Sequence, residues 1–254
     1  MILDQFRLDG KVALVTGAGA GFGQAICIGL AEAGADIAGV DYIEMLDTRA
    51  EVEKRGREFF PVKANLMSIE PIQGILTRIL QNYNQIDILV NSAGMTRRTD
   101  ALEVTEKDWD EVMNLNIKTV FFFSQAVAKQ FIKQGTGGKI INITSIHSFQ
   151  GGVQLSPFAA SKSGVWGITR LLANEWGKHN INVNAIAPGY IATDNTAWLR
   201  NDDHRNSEII ARIPLGRWGT IDDLKGTAVF LTSAASNYIN GYTIAIDGGW
   251  LARG

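Results

Sequence analysis

Short runs rich in β-branched residues alternate with stretches of amphipathic helical periodicity from one end of this chain to the other. Such alternation is the pattern of a parallel sheet with helices on both faces. The runs at 11–16, 36–40, 58–63, 86–90, 139–144, 181–186 and 243–246 predict strands, and helical stretches begin near Gly21, Glu44, Ile69, Thr105, Pro157 and Ile221. A Ser, Thr or Asp of capping type opens several of these helices. The expected fold is α/β: a single-domain, Rossmann-type, doubly wound parallel sheet of about seven strands.

Two helical stretches are long and strongly apolar. One lies near 105–134, with Trp109, Phe121, Phe122, Phe123 and Phe131; the other lies near 157–179, with Val165, Trp166, Leu171 and Trp176. One sheet face cannot bury all of that surface. Core packing takes most of it, and the surplus suits a symmetric oligomer interface, with a homotetramer as the expectation. The segment 189–214 carries several charges and no strand, which suggests a substrate lid at the carboxyl edge of the sheet.

Composition narrows the partners. The chain has 254 residues, 46% hydrophobic and 20% charged, with no linker, charge run or repeat to divide it, so one domain spans 1–254. Its 24 basic and 26 acidic residues are interspersed and the net charge is -2, which leaves no basic stripe for nucleic acid. The segment Met1 to Gly10 has no basic stretch followed by an apolar one, and no apolar run reaches membrane-spanning length. A soluble, cytoplasmic protein with no membrane partner is expected. The single cysteine, Cys27, lies in an apolar helical stretch and reads as a buried structural thiol. No metal site is indicated.

The first strand runs into Thr16-Gly17-Ala18-Gly19-Ala20-Gly21-Phe22-Gly23, which opens the first helix. Glycines there let backbone N–H groups approach a pyrophosphate at the positive end of a helix. A tight structural turn would use glycine too, but Asp41 ends the next strand where a carboxylate can accept hydrogen bonds from both ribose hydroxyls. The same carboxylate would repel a 2′-phosphate. No Lys or Arg sits in the glycine loop or follows Asp41 before Arg49, so NAD is expected rather than NADP. Asn65 and Leu66 follow the third strand and are expected at the adenine edge, with a turn-forming Asn65 as the alternative.

A hydroxyl, an aromatic ring and an amine recur at the spacing of a carbonyl-reducing site in Ser145-x12-Phe158-Ala-Ala-Ser-Lys162. Four residues apart on a helix, Phe158 and Lys162 share a face. Together with Gly17-x3-Gly21-x-Gly23, Asn91-Ser-Ala-Gly94, Asn116 and Pro188-Gly189-x3-Thr193, these residues resemble the short-chain dehydrogenase/reductase family over the whole chain. The resemblance implies that a tyrosine exchanges the proton, a lysine lowers its pKa and holds the nicotinamide ribose, a serine orients the carbonyl oxygen, and an asparagine supports a water-linked proton path. By position these roles fall on Phe158, Lys162, Ser145 and Asn116. It further implies that Pro188, Gly189, Ile191 and Thr193 flank the nicotinamide carboxamide and that the Asn91-Ala93-Gly94 turn passes beneath the cofactor.

Three positions depart from the family pattern. Ser92 replaces a second asparagine and Asn65 an aspartate, and both keep hydrogen-bonding ability. Phe158 does not, because a benzene ring has neither a proton to give nor a lone pair to accept one. A natural non-catalytic relative, a parental tyrosine replaced by phenylalanine, and an alternative acid at His147 are the three readings. The second accounts best for a site in which every partner is kept.

Within the family, Asn114-Leu-Asn-Ile-Lys, Asn174-Glu-Trp-Gly-Lys, Ile213-Pro-Leu-Gly-Arg-Trp218 and the ending Gly241-Tyr-Thr-Ile-Ala-Ile-Asp-Gly-Gly-Trp250 resemble the bacterial sugar-acid branch acting on 2-dehydro-3-deoxy-D-gluconate in uronate and pectin breakdown. Such a substrate wants arginine with amide, imidazole and hydroxyl partners, and Arg97, Ser145, His147, Gln150, Arg200 and Arg205 are the candidates. A neutral sugar or polyol dehydrogenase, and a sensor of dinucleotide or sugar acid without turnover, are the alternatives.

Overall fold

The first strand, β1 (Val12–Thr16), is buried along its whole length, as a strand covered on both faces has to be. A computed structural model describes residues 1–253. After β1 the chain runs through α1 (Gly21–Glu32), β2 (Asp36–Asp41), α2 (Leu46–Glu53), β3 (Phe59–Lys63), α3 (Ile72–Tyr83) and β4 (Ile88–Asn91). It continues through α4 (Glu106–Met113), α5 (Thr119–Gln134), β5 (Gly138–Ile143), α6 (Ser156–Trp176) and β6 (Ile181–Pro188). The last elements are α7 (Ala197–Arg200), α8 (Asp203–Arg212), α9 (Lys225–Thr232) and β7 (Thr243–Ile246). All seven strands pair in parallel, in the order β3-β2-β1-β4-β5-β6-β7. Winding reverses between β1 and β4, and the crevice at their carboxyl ends is where such sheets bind ligands.

Alternate residues of β1 feed two apolar layers. Ala13 and Val15 meet Ile26 and Leu30 of α1 and Leu231 of α9, whereas Leu14 meets the side of Ile79 of α3, Phe123 and Phe131 of α5 and Leu172 of α6. Each fully buried side chain of this size contributes roughly 1.5–3 kcal/mol. Cys27 lies in the first layer, where burial raises its thiol far above the range in which it could react.

Three sequence expectations need adjusting. The helices expected from Glu44 and Ile69 begin at Leu46 and Ile72. The Asp41 carboxylate captures the N–H groups of Tyr42 and Ile43, and Pro71 becomes an N-cap that keeps the residue before it out of helix. The stretch 105–134 is two α-helices joined by a π turn, Asn114–Lys118, which buries Asn116 completely. Finally, 189–214 contains α7, α8 and a lone bridge from Ile191 to Gly219. It has its own small apolar core of Leu199, Ile209 and Ile213 against Ile146 and Trp250.

No helix among the described residues is long and apolar enough to cross a membrane.

Candidate active site

At the β1/β4 crevice each glycine answers a specific steric or conformational need. Gly17 has φ +71°, and a Cβ there would lie 2.8 Å from the Ala93 nitrogen; a Cβ on Gly23 would run into the Gly17 carbonyl. Thr16 locks the two strand ends together, its hydroxyl accepting from the N–H groups of Ser92 and Ala93 at 3.1 Å each. Gly21 opens α1 with φ +57° and nothing within 4 Å of its would-be Cβ, so the start of α1 is bare backbone. A dinucleotide pyrophosphate fits this cradle.

Asp41 is buried and fully engaged. One carboxylate oxygen accepts from Gly19 N at 2.8 Å; the other accepts from Tyr42 N at 2.7 Å and Ile43 N at 3.3 Å. Phe22 packs partly against the layer beneath α1. Asn65 makes the turn its residue type suggested, accepting from Met67 N at 3.0 Å. Leu66 is buried in the second layer, and its carbonyl accepts from the Thr119 hydroxyl, so it offers the crevice no side chain.

Asn91 likewise turns inward. Its amide donates to Ser124 Oγ at 2.9 Å and Asn142 Oδ1 at 2.8 Å, and Asn142 passes the chain on to Thr169 Oγ1 at 3.0 Å. That buried network ties β4 and β5 to α5 and α6, and only the backbone of Asn91 reaches the crevice. Across the sheet, Gly189 N donates to the Ile246 carbonyl, and Gly189 lies so close to Asp247 that a Cβ would clash. Pro188 ends β6. Ile191 is buried, and Thr193 is held by Thr196, whose Oγ1 accepts from Thr193 N at 3.0 Å.

The four residues of the carbonyl-reducing pattern converge. Ser145 ends the loop after β5 and caps a short 3₁₀ turn, its Oγ accepting from His147 N at 3.2 Å. Lys162 Nζ donates to the Ile143 carbonyl at 2.7 Å and lies 5.8 Å from the centroid of the Phe158 ring. Asn116 exchanges two hydrogen bonds with the Met95 backbone and donates to Ser161 Oγ at 3.1 Å. Gly94 sits between them; a Cβ there would be 3.3 Å from Asn116 Oδ1 and 3.5 Å from Lys162 Nζ. Lys162 is only 5% exposed and no salt bridge holds it among the described residues, so burial pushes its pKa down to about 8.

His147 meets the Phe158 ring edge-on, with centroids 6.2 Å apart. Burial, and then the charge of Arg98, hold its pKa below the ordinary histidine value. A histidine that is neutral near pH 7 is a poor proton donor, which weighs against the alternative-acid reading.

The substrate rim differs most from expectation. Arg97 does not face the pocket: its guanidinium pairs with Glu111 at 2.8 Å and Asp108 at 3.5 Å. The adjacent Arg98 takes that place, stacked over Trp198 at 4.8 Å and close enough to His147 and Tyr190 to act on both. Arg200 is spent on the Thr193 carbonyl at 2.7 Å. Gln150 instead faces Arg212, which lies over the Trp250 ring at 4.2 Å. Arg98, Tyr190 and Arg212 were not foreseen. Two adjacent arginines in a loop carry no periodicity to tell them apart, whereas Tyr190 could have been picked out as the aromatic directly after Pro188-Gly189.

Comparison with known proteins fits this geometry. A family model described as enoyl-(acyl carrier protein) reductase matches residues 17–251. The chain is 60% identical, over the whole length of both, to a 2-dehydro-3-deoxy-D-gluconate 5-dehydrogenase of Escherichia coli. This chain belongs to the short-chain dehydrogenase/reductase family. A Bacillus subtilis protein of the same name is 48% identical over 98% of each chain. The crystal structure of a gluconate 5-dehydrogenase from Burkholderia cenocepacia, solved with NADP and tartrate, matches with a TM-score of 0.95 at 36% identity over 100% of each chain. The seven-stranded parallel sheet is thus that of short-chain dehydrogenase/reductase structures, and the chain is an oxidoreductase of that type.

Proposed function

We propose that this chain is an NAD-dependent dehydrogenase of a sugar acid, interconverting a secondary alcohol and a ketone on 2-dehydro-3-deoxy-D-gluconate, and that Phe158 holds it inactive. The observation that carries the reading is a buried lysine with no carboxylate partner, set 5.8 Å from a ring that has no hydroxyl. A cation kept in the interior at such cost has a use, and the use that fits is to stabilise the anion of a phenol at position 158. The identity to named 2-dehydro-3-deoxy-D-gluconate 5-dehydrogenases supports the substrate, and Arg98 over Trp198 with Arg212 beside Gln150 favours an acid over a neutral polyol.

Gly17, Gly19, Gly21, Gly23 and Asp41 would hold the dinucleotide, whose nicotinamide supplies the hydride acceptor or donor when bound. The other tasks belong to side chains. Ser145 orients the substrate oxygen beside the face of position 158, and Lys162 sets the proton affinity there. Asn116, fixed by Met95 and Ser161, holds the loop over Lys162 in place. With Phe158 present the proton has no carrier, and substrate can bind without turnover.

Phe158→Tyr tests this. Positioned acid–base catalysis is worth roughly 10²–10⁴-fold, so kcat with 2-dehydro-3-deoxy-D-gluconate and NAD should rise by about that factor while cofactor affinity stays unchanged. A gain below about tenfold on every sugar acid would leave a non-turning-over sensor as the better account.

The same reading includes assembly as a homotetramer, supported by an open groove between α5 and α6 in which Phe121, Ile132, Leu171 and Trp176 sit beside Lys129 and Glu175. Sedimentation at micromolar concentration should show four chains together; a monomer of 27.7 kDa would rule that out.

A further inference from the structure

Among the described residues, two lysine amines are held by neutral oxygen atoms alone, and they lie at opposite ends of β5. Lys162 Nζ meets the Ile143 carbonyl at the carboxyl end of that strand. Lys139, near its amino end, donates to Asn182 Oδ1 and Asn237 Oδ1, each at 2.9 Å. Four residues of strand separate the two ends, about 13 Å of rise, so Lys139 lies on the edge of the sheet away from the site already described. Lys11, Lys54, Lys63 and Lys225 have carboxylates to pair with. The other lysines are exposed.

The surroundings of Lys139 give it no counter-charge. Asp87, just before β4, accepts from Lys139 N through its backbone carbonyl and turns its carboxylate to Lys11 at 3.0 Å. The flanking segments 177–184 and 234–241 contain no acid, and their only titratable groups besides Tyr238 are the exposed Lys178 and His179. An ammonium has three N–H groups to place, whereas an uncharged amine has two and keeps a lone pair. Two acceptors satisfy the uncharged form and leave the charged form one short. Burial acts in the same sense and pushes the Lys139 pKa down to about 8. The amine is nevertheless reachable: its contact with Asn237 is exposed, and both of its acceptors line an open depression of about 360 Å³ with Asn180, Tyr238 and Asn240.

We propose that Lys139 is a nucleophilic amine and a modification site, which takes the acyl group of a small acyl phosphate. The Nζ lone pair attacks the acyl carbon and an N–C bond forms. The C–O bond to phosphate breaks, inorganic phosphate leaves with the electron pair, and the amine proton passes to water; nothing is oxidised or reduced. No acid lines the depression to repel the phosphate. The amide that results keeps a single N–H, so either Asn182 or Asn237 loses its donor. This site is separate from the sugar-acid reading and stands or falls without it.

Acetyl phosphate is the probe, added to the full chain saturated with NADH, and peptide mass spectrometry follows labelling at each lysine with time. At pH 7 Lys139 should label about tenfold or more faster than the exposed Lys107, Lys129 and Lys178, because far more of its amine is uncharged. Lys162, only 5% exposed, should stay unlabelled. Asn237→Asp keeps an oxygen acceptor but puts a carboxylate beside the amine, which should hold its proton and slow labelling of Lys139 by about tenfold. Where that variant does not fold, the pH profile of the parent decides: the rate at Lys139 should level off above its pKa of about 8, while the exposed lysines go on rising toward pH 10. Labelling of Lys139 within about twofold of the exposed lysines at pH 7 overturns the proposal. So does an unchanged rate in folded Asn237→Asp, or a rate at Lys139 that climbs alongside the exposed lysines to pH 10.

Discussion

The two halves of the site differ in how far their polar groups are already satisfied. In the cofactor half, Asp41 accepts three backbone hydrogen bonds, Thr16 clamps two strand ends, and Asn91 and Asn142 are consumed in a buried network. In the catalytic half, Lys162 is buried with one carbonyl for a partner, and the buried His147 Nδ1 has no hydrogen bond among the described residues. Without ligand the first half is a stable scaffold. The second carries unmet demands that only a ligand, or a hydroxyl at position 158, would meet. Stability is therefore spent where the chemistry is done.

Substitutions in the two halves should accordingly change the stability of the ligand-free protein in opposite directions. The larger effect is at Lys162. Its pKa is pushed down to about 8 from an ordinary 10.5, so between those values the unfolded chain holds a proton that the folded chain has released. Stability then rises with pH across that window, and below pH 8 the full penalty of burying the charge is present. Lys162→Met removes the penalty together with the bond to Ile143. At pH 7 it should stabilise the protein by about 2 kcal/mol, and the gain should shrink toward pH 10. Denaturant unfolding of both proteins at the two pH values measures this. A destabilised variant at pH 7 would erase the contrast between the halves.

The same contrast explains how much of the molecule could be read from its sequence. The strands and the glycine cradle were legible because their causes are local: β-branched runs make strands, a positive φ at Gly17 and Gly21 requires glycine, and a carboxylate at the end of β2 meets the loop before it. The 158/162 pair was legible because one helix turn fixes its spacing, and Ser145 was legible through the family resemblance. The rim was not. Arg97 and Arg98 are sequence neighbours, and which one turns inward depends on Glu111 and Asp108, part of a helix that begins several residues later. Arg212 lies over Trp250, a partner from the far end of the chain that no local pattern announces. The π turn that buries Asn116 was also out of reach, since the apolar period runs through it almost unbroken.

The smaller effect is at Asp41, and it also tests the choice of cofactor. The B. cenocepacia relative was solved with NADP, so the choice in this chain falls to the residues at the end of β2. Asp41 is buried and its charge is offset only by backbone N–H groups, with no Lys or Arg before Arg49 to receive a 2′-phosphate. The parent chain should bind NADH well above NADPH. Asp41→Ala should narrow that ratio roughly tenfold, chiefly by weakening NADH. Because the same change removes three hydrogen bonds that hold Gly19, Tyr42 and Ile43, the ligand-free variant should lose about 1 kcal/mol, opposite in sign to Lys162→Met. Fluorescence titration with both cofactors and one unfolding curve suffice. Equal parental affinities, or a preference for NADPH, would overturn the NAD assignment. A stabilised Asp41→Ala protein would show that the cofactor half carries the same unmet demand as the catalytic half.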